Sequence, residues 1–162
     1  VPLHSGLTIS QPYMVAKMIQ LLDVKHSDKV LEVGSGSGYA LAVLSRIANK
    51  AYGIELDDKL VKRSKKTLKN LGYDNAKVTK GDGSKGLIHH HPYDKILVSA
   101  GASEIPEILF EQLNDQGIVV APIGTRRQQK LMKYTKKDDE IKKEEHESCV
   151  FIPLKGENGM KQ

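Results

Sequence analysis

The stretch Leu31-Glu32-Val33-Gly34-Ser35-Gly36-Ser37-Gly38 carries three glycines at alternate positions, directly after a short apolar run. Residues 29–33 are typical of a buried strand, and residues 40–48 carry apolar side chains at helical spacing. A glycine-rich turn between a strand and a helix lets a ligand approach the backbone closely. The stretch therefore predicts a ligand-binding turn at the tip of the first strand of an α/β domain.

The spacing of these glycines distinguishes two classes of cofactor. A dinucleotide fingerprint reads G-x-G-x-x-G, and it would need a glycine at the position of Tyr39. The third glycine comes one residue earlier, so a pyrophosphate-binding turn is disfavoured. The form E-x-G-x-G-x-G resembles motif I of methyltransferases that use S-adenosylmethionine, where the loop wraps the amino-acid part of the cofactor. The resemblance implies that the cofactor-binding residues of this turn are Glu32, Gly34, Ser35, Gly36 and Gly38.

Outward from the turn, the apolar pattern alternates between strand and helix spacing. Strands are predicted at 29–33, 51–54, 76–79, 94–100, 117–121, 130–135 and 149–154, and helices at 12–22, 40–48, 59–71 and 106–113. The last two strands are predicted to pair antiparallel across an exposed, charged connection at 136–147. The fold class is therefore α/β, with a Rossmann-like, doubly wound, mostly parallel seven-stranded sheet and an antiparallel C-terminal edge, as in class I methyltransferases.

Two acidic residues follow the second and third predicted strands. Glu55 can accept hydrogen bonds from both hydroxyls of a ribose, although a solvated acidic residue is the alternative. Asp82, between two glycines, can accept a hydrogen bond from the exocyclic amine of adenine, although Asp-Gly is also common in turns. Because the carboxyl ends of parallel strands surround the ligand crevice, we expect Glu55, Leu56, Asp82 and Gly83 to bind the cofactor.

Further segments are more specific than the glycine turn. They are Thr8-Ile9-Ser10-Gln11-Pro12-Tyr13-Met14, 33–39, 81–83, 92–96, 112–113 and 122–124. With them the chain resembles the protein-L-isoaspartate O-methyltransferase family over residues 2–154. The resemblance implies methyl transfer from S-adenosylmethionine, leaving S-adenosylhomocysteine, to the carboxylate of L-isoaspartyl residues in damaged proteins. The methyl ester then returns to a normal peptide bond through a succinimide, which is protein repair.

The resemblance also implies roles for single residues. Ser10 falls on the active-site serine, Thr8 and Ile9 border cofactor and substrate, and Gln129 matches a glutamine near the cofactor. A carboxylate has an ordinary pKa of about 4, so the acceptor is already an anion at neutral pH and no general base is needed. Ser10 can therefore act by orienting that carboxylate with one hydrogen bond. Its alternative role is to cap the helix that starts at Pro12.

Composition limits the other functions open to the chain. The 162 residues suffice for a single domain, 1–162, and no apolar run approaches the roughly 20 residues of a membrane span. The lone Cys149 cannot form an internal disulfide, which favours the cytoplasm. The lysines of 59–69 lack interleaved aromatic residues, so a solvated helix face is favoured over a nucleic-acid site. Residues 89–91 are three adjacent histidines without further ligands nearby, so no metal site is predicted. A monomer is expected.

The N-terminal end departs from the family pattern. The family usually has several tens of residues ahead of the Thr8 segment, where they help to form the substrate cleft, whereas seven precede Thr8 here. We expect that this family segment is missing and that cofactor binding depends on it less than the isoaspartyl pocket does. Two alternatives remain open. One is a methyltransferase acting on RNA or a small molecule, and the other is a cofactor-binding module that has lost its activity.

Overall fold

A computed structural model describes residues 11–161, so the predicted site residues Thr8, Ile9 and Ser10 lie outside the described residues. The helices are α1 (Pro12–Leu22), α2 (Tyr39–Ile47), α3 (Asp58–Asn70) and α4 (Glu107–Glu111). The strands are β1 (Lys29–Val33), β2 (Lys50–Glu55), β3 (Ala76–Lys80), β4 (Tyr93–Val98), β5 (Leu113–Gly124), β6 (Gln129–Lys137) and β7 (Glu140–Cys149). Pro12 suits the first turn of α1, where its missing N–H costs no hydrogen bond.

The strands form one seven-stranded sheet in the order β3-β2-β1-β4-β5-β6-β7. The five strands from β1 to β5 pair in parallel, whereas β6 and β7 pair antiparallel. The predicted fold class, a mostly parallel sheet with an antiparallel C-terminal edge, is confirmed. The chain order reverses between β1 and β4, which is the place where a ligand crevice opens in such sheets.

The last strand differs from the prediction. A strand at 149–154 and an exposed connection at 136–147 were wrong, because β7 occupies most of that charged stretch. Asp138 and Asp139 take positive φ angles of 49° and 63° and form a two-residue hairpin turn between β6 and β7. β7 is an edge strand with one buried residue, so it shows no apolar alternation that sequence reasoning could detect.

Two other boundaries were also misjudged. The inward face of α3 was predicted to contain Leu60, Ser64, Thr67, Leu68 and Leu71. Thr67 and Leu71 are exposed and Val61 is buried instead, because α3 ends at Asn70 and its buried face is centred further back. The fifth strand starts at Leu113 and not at 117, because the helix before it ends early, at Glu111.

Apolar side chains form one core on each face of the sheet. Met18 and Leu22 of α1 and Leu41 of α2 pack on one face together with Val30 of β1. Leu31, the next residue of β1, packs on the opposite face with the side chains of α4. Because successive residues of β1 are held from both sides, the position of the turn that follows it is fixed.

Candidate functional site

A cavity of about 370 Å³ opens at the carboxyl ends of β1, β2 and β4. This volume is in the range of small-molecule sites. Seven of the predicted cofactor residues line it, namely Glu32, Gly34, Ser35, Gly36, Glu55, Leu56 and Gly83. Gly38, Asp82 and Gln129 are absent from its lining. The structure therefore gathers most of the predicted residues that it describes, from three separate strands, around one space.

The glycine turn takes a conformation that explains its spacing. Gly34, Gly36 and Gly38 have φ angles of 77°, 50° and 82°, in the left-handed region that side chains disfavour. The N–H groups of Gly34 and Ser35 both donate to the Ile54 carbonyl, at 2.9 and 3.2 Å. Gly38 starts α2 and lies against α3, where a Cβ would be 3.2 Å from the Cβ of Ser64. Gly38 therefore serves the packing of the turn rather than the cavity wall.

Glu55 fastens this turn to the end of β2. Its Oε2 accepts a hydrogen bond from the N–H of Gly36 at 2.8 Å, and its Oε1 accepts one from the N–H of Asp57 at 2.9 Å. Each carboxylate oxygen can accept a further bond, so these contacts leave capacity for ribose hydroxyls. Sequence reasoning missed the bond to Gly36, since it joins residues that no local motif relates.

Glu32 is a buried acid in the cavity wall. Its side chain is 2% exposed, and its Oε1 accepts a hydrogen bond from the Ser99 hydroxyl at 2.7 Å. Its Oε2 finds no hydrogen-bond donor within residues 11–161. Burial raises the pKa of Glu32 to about 8, the Ser99 hydroxyl partly offsets this rise, and the charge of Glu55 adds to it. Glu32 is thus mainly protonated at neutral pH in the protein alone, and Ser99 is a site residue that sequence reasoning missed.

Ser35 supplies a second buried polar atom to the wall. Its residue is 4% exposed, and its Oγ has no hydrogen-bond partner in the part of the chain that the structure describes. The side chain lies over Gly53 of β2, where a Cβ would come within 2.8 Å of it. Buried polar atoms are normally satisfied, so Glu32 and Ser35 together indicate a polar ligand.

Asp82 holds the C-terminal segment near the end of β3. Its Oδ1 accepts bonds from the N–H and hydroxyl of Ser84, at 2.9 and 2.7 Å, and its Oδ2 accepts one from the N–H of Glu157 at 2.9 Å. Partial burial raises the pKa of Asp82, but these hydrogen bonds outweigh it and leave the pKa below its ordinary value. Its adenine-binding role stays a prediction, beside this contact to the tail.

Gln129 anchors the segment that closes one side of the cavity. It is 1% exposed, its Oε1 accepts a bond from the N–H of Phe151 at 2.7 Å, and its Nε2 donates to the carbonyl of Thr125. Residues 151–155 line the cavity and are tied to Gly101 by backbone bonds of 2.7 and 2.8 Å. Gln129 therefore shapes the wall without entering it. Sequence reasoning had placed that wall segment in a strand.

Two features bear on the other functions considered. His90 stacks on Tyr52 with ring centroids 4.2 Å apart, so one of the three adjacent histidines packs against the sheet. Within residues 11–161, no three His, Cys, Asp or Glu side chains are grouped so as to hold a metal ion. Over the same range, no helix combines the length and apolarity needed to cross a membrane.

Comparisons with known proteins agree on one family. The sequence profile of the protein-L-isoaspartate(D-aspartate) O-methyltransferase family matches residues 1–159. The protein-L-isoaspartate O-methyltransferase of Dictyoglomus thermophilum is 46% identical over 161 residues, covering 99% of this chain and 73% of that protein. The enzyme of the same name from Methanococcus maripaludis is 47% identical over 157 residues, covering 95% of this chain and 74% of that protein.

Solved structures give the same result. A protein-L-isoaspartate O-methyltransferase superposes with a TM-score of 0.89 at 31% identity, covering 98% of this chain and 52% of that one. A Plasmodium falciparum protein assigned to the same family, in complex with S-adenosyl-L-homocysteine, superposes with a TM-score of 0.81 at 30% identity. That match covers 96% of this chain and 79% of the other. The chain belongs to the protein-L-isoaspartate(D-aspartate) O-methyltransferase family.

Proposed function

We propose that this protein transfers the methyl group of S-adenosylmethionine to the side-chain carboxylate of L-isoaspartyl residues in damaged proteins. One observation carries the proposal: in a chain of this family, a cavity at the tips of β1, β2 and β4 is walled by the buried, polar Glu32 and Ser35. The products are an isoaspartyl methyl ester and S-adenosylhomocysteine.

The lining suits this cofactor by its chemistry. Glu32 offers an acceptor for an ammonium group, and the Ser35 hydroxyl offers a donor for a carboxylate. Glu55 can accept bonds from the ribose hydroxyls in addition to those it accepts from the backbone. Apolar side chains of Ile54, Leu56 and Leu60 complete a wall against which a flat base can lie. Gly83 adds space beside them, and we propose that Asp82 and Gln129 support the site from behind.

The chemistry asks little of the chain beyond positioning. The bound cofactor supplies a methyl group on a positively charged sulfonium. The acceptor carboxylate is already an anion at neutral pH, so the protein has to hold one oxygen in line and keep water away. We assign the orienting hydrogen bond to the hydroxyl of Ser10, and we assign the border between substrate and cofactor to Thr8 and Ile9.

Ser10→Ala is expected to lower the methylation rate of an isoaspartyl peptide by roughly tenfold to a hundredfold, because the acceptor loses one orienting hydrogen bond. Affinity for S-adenosylhomocysteine should change by less than about threefold, since its proposed binding residues lie elsewhere. Steady-state kinetics and calorimetry measure the two quantities. An equal loss of both would show that Ser10 acts by capping α1.

A paired-peptide assay tests the function itself. The protein is incubated with methyl-labelled S-adenosylmethionine and two peptides that differ only in carrying aspartate or isoaspartate. Label on the isoaspartyl peptide alone supports the proposal. Label on added RNA but on neither peptide would favour the RNA methyltransferase, and cofactor binding with no acceptor would favour a module without activity.

We further propose that residues 1–162 act as one domain, monomeric and cytoplasmic, on protein rather than nucleic-acid substrates. The basic face of α3 is partly paired within the protein, since Asp58 contacts Lys62 at 2.6 Å and Lys80 at 3.3 Å. The one cysteine, Cys149, is buried, and burial raises the pKa of its thiol, so it suits a reducing compartment as an inert core residue. Light scattering at several protein concentrations tests the monomer.

A further inference from the structure

Glu32 and Ser99 form a buried hydrogen-bonded pair in the cavity wall, with a free oxygen on the carboxyl side. We infer that this pair receives the ammonium group of the cofactor's amino-acid part, and that Glu32 gives up one proton to solvent as the cofactor binds. The inference rests on the proposed function, because it takes that cofactor as the ligand. Ser99 acts in it as a positioning residue for Glu32.

The geometry assigns different tasks to the two oxygens of Glu32. The Ser99 hydroxyl donates to Oε1 at 2.7 Å, and the backbone N–H of Ser99 donates to the carbonyl of Val33 at 2.9 Å, which fixes Ser99 against β1. Oε2 is left without a donor among residues 11–161, although both residues belong to the cavity wall. A buried acceptor held in this way favours a ligand that brings its own donor.

The surroundings keep Glu32 protonated until such a ligand arrives. Burial raises the pKa of Glu32 to about 8, an effect that the Ser99 hydroxyl opposes, the Glu55 charge reinforces and the backbone N–H of Leu41 opposes. The other charged side chains in the wall are Asp57 and Lys155, from the start of α3 and from the C-terminal segment. Neither is among the groups that set the pKa of Glu32.

An incoming ammonium group changes this balance. A cation close to a buried carboxyl favours the ionised form, because their attraction is strong where water is excluded. The protonated Glu32 then becomes a carboxylate paired with the ammonium group, and its proton passes to solvent. No other bond forms or breaks, and no other charge is created. Binding should therefore strengthen as pH rises towards the pKa of Glu32 in the empty protein.

Calorimetry with S-adenosylhomocysteine, which carries the same amino-acid part, measures this proton directly. Titrations at pH 7 in two buffers of different ionisation enthalpy should show release of about 0.9 proton per cofactor bound, the fraction protonated at a pKa of about 8. Affinity should rise about tenfold from pH 6 to pH 7, since both lie below that pKa. These readouts need no catalytic activity.

Three variants separate the roles of the pair. Glu32→Gln keeps the shape of the protonated acid, and it should bind more weakly, with the pH dependence of affinity lost and no proton released. Ser99→Ala removes the donor that lowers the pKa of Glu32, so the pH at which affinity levels off should move upward. Ser99→Thr keeps a hydroxyl and should behave as the parent protein does. A purely structural Ser99 would instead weaken binding equally at every pH.

The outcomes distinguish this inference from the function on which it rests. Cofactor binding without proton release, or the same pH dependence in Glu32→Gln, would overturn the inference and leave the proposed function standing. Absence of any binding at micromolar to millimolar cofactor would overturn both. Proton release that disappears in Glu32→Gln and shifts in Ser99→Ala is the result that supports the pair.

Discussion

Replacement of Gly53 by alanine is expected to lower the free energy of unfolding by about 2 to 3 kcal/mol and to weaken binding of S-adenosylhomocysteine by at least roughly tenfold. The added methyl group would lie 2.8 Å from Cβ and Oγ of Ser35 and 2.9 Å from Cδ2 of Leu41. Leu41 is fully buried and has no room to retreat. The turn at Ser35 must therefore move away from β2, and the bond between Gly36 and Glu55 is lost.

Gly81→Ala is the matched control for this prediction. Gly81 also lies next to Ile54, but its nearest contact would be the flexible end of that side chain at 3.1 Å. Its φ lies outside the left-handed region, so alanine fits the backbone without strain. Denaturant unfolding and calorimetry compare the two variants. Similar losses of stability and affinity in both would show that close packing beneath the glycine turn is unimportant.

Glu32→Gln is expected to stabilise the protein at alkaline pH and to leave it nearly unchanged at pH 4 to 5. The folded pKa of Glu32, about 8, lies above its ordinary value of 4.5, so the folded state binds the proton more tightly than the unfolded state. The stability gained from that proton is complete below about pH 4.5, and it is lost as pH rises through 8. Glutamine removes the cost of ionisation, so the two proteins should diverge by on the order of 4 kcal/mol by pH 9.

Unfolding by urea at a series of pH values measures this divergence. Glu140→Gln, a change at an exposed residue of β7, serves as the control and should follow the parent protein throughout. The difference between the Glu32 variant and the parent removes the contribution of all other titrating groups. A difference that stays constant from pH 5 to pH 9 would contradict a protonated Glu32 in the folded protein.

The local pattern was sufficient wherever a segment packs on one defined face. The predicted bounds of α1 and β1, Pro12–Leu22 and Lys29–Val33, agree with the structure, because periodic apolar residues and a proline at the helix start mark both. β7 was misplaced for the opposite reason. Its neighbours lie on one side only, so the charged residues from Glu140 onward satisfy an edge strand without any apolar alternation.

The site divides in the same way. A run of closely spaced glycines has few uses, so the turn from Gly34 to Gly38 indicated its own conformation and the class of cofactor. Ser99, the segment 151–155 and the bond from Gly36 to Glu55 had no such signal. They belong to strands and loops that are far apart along the chain and meet only at the carboxyl edge of the sheet.

The sequence by itself therefore determined the fold class, the family and the turn that names the cofactor, since each follows from residues adjacent in the chain. The tertiary structure alone decided how acidic Glu32 is, which of its oxygens remains free, and that Asp82 and Gln129 hold the C-terminal segment. The physical reason is that a pKa and a hydrogen bond depend on burial and on neighbours across the sheet, and folding creates both.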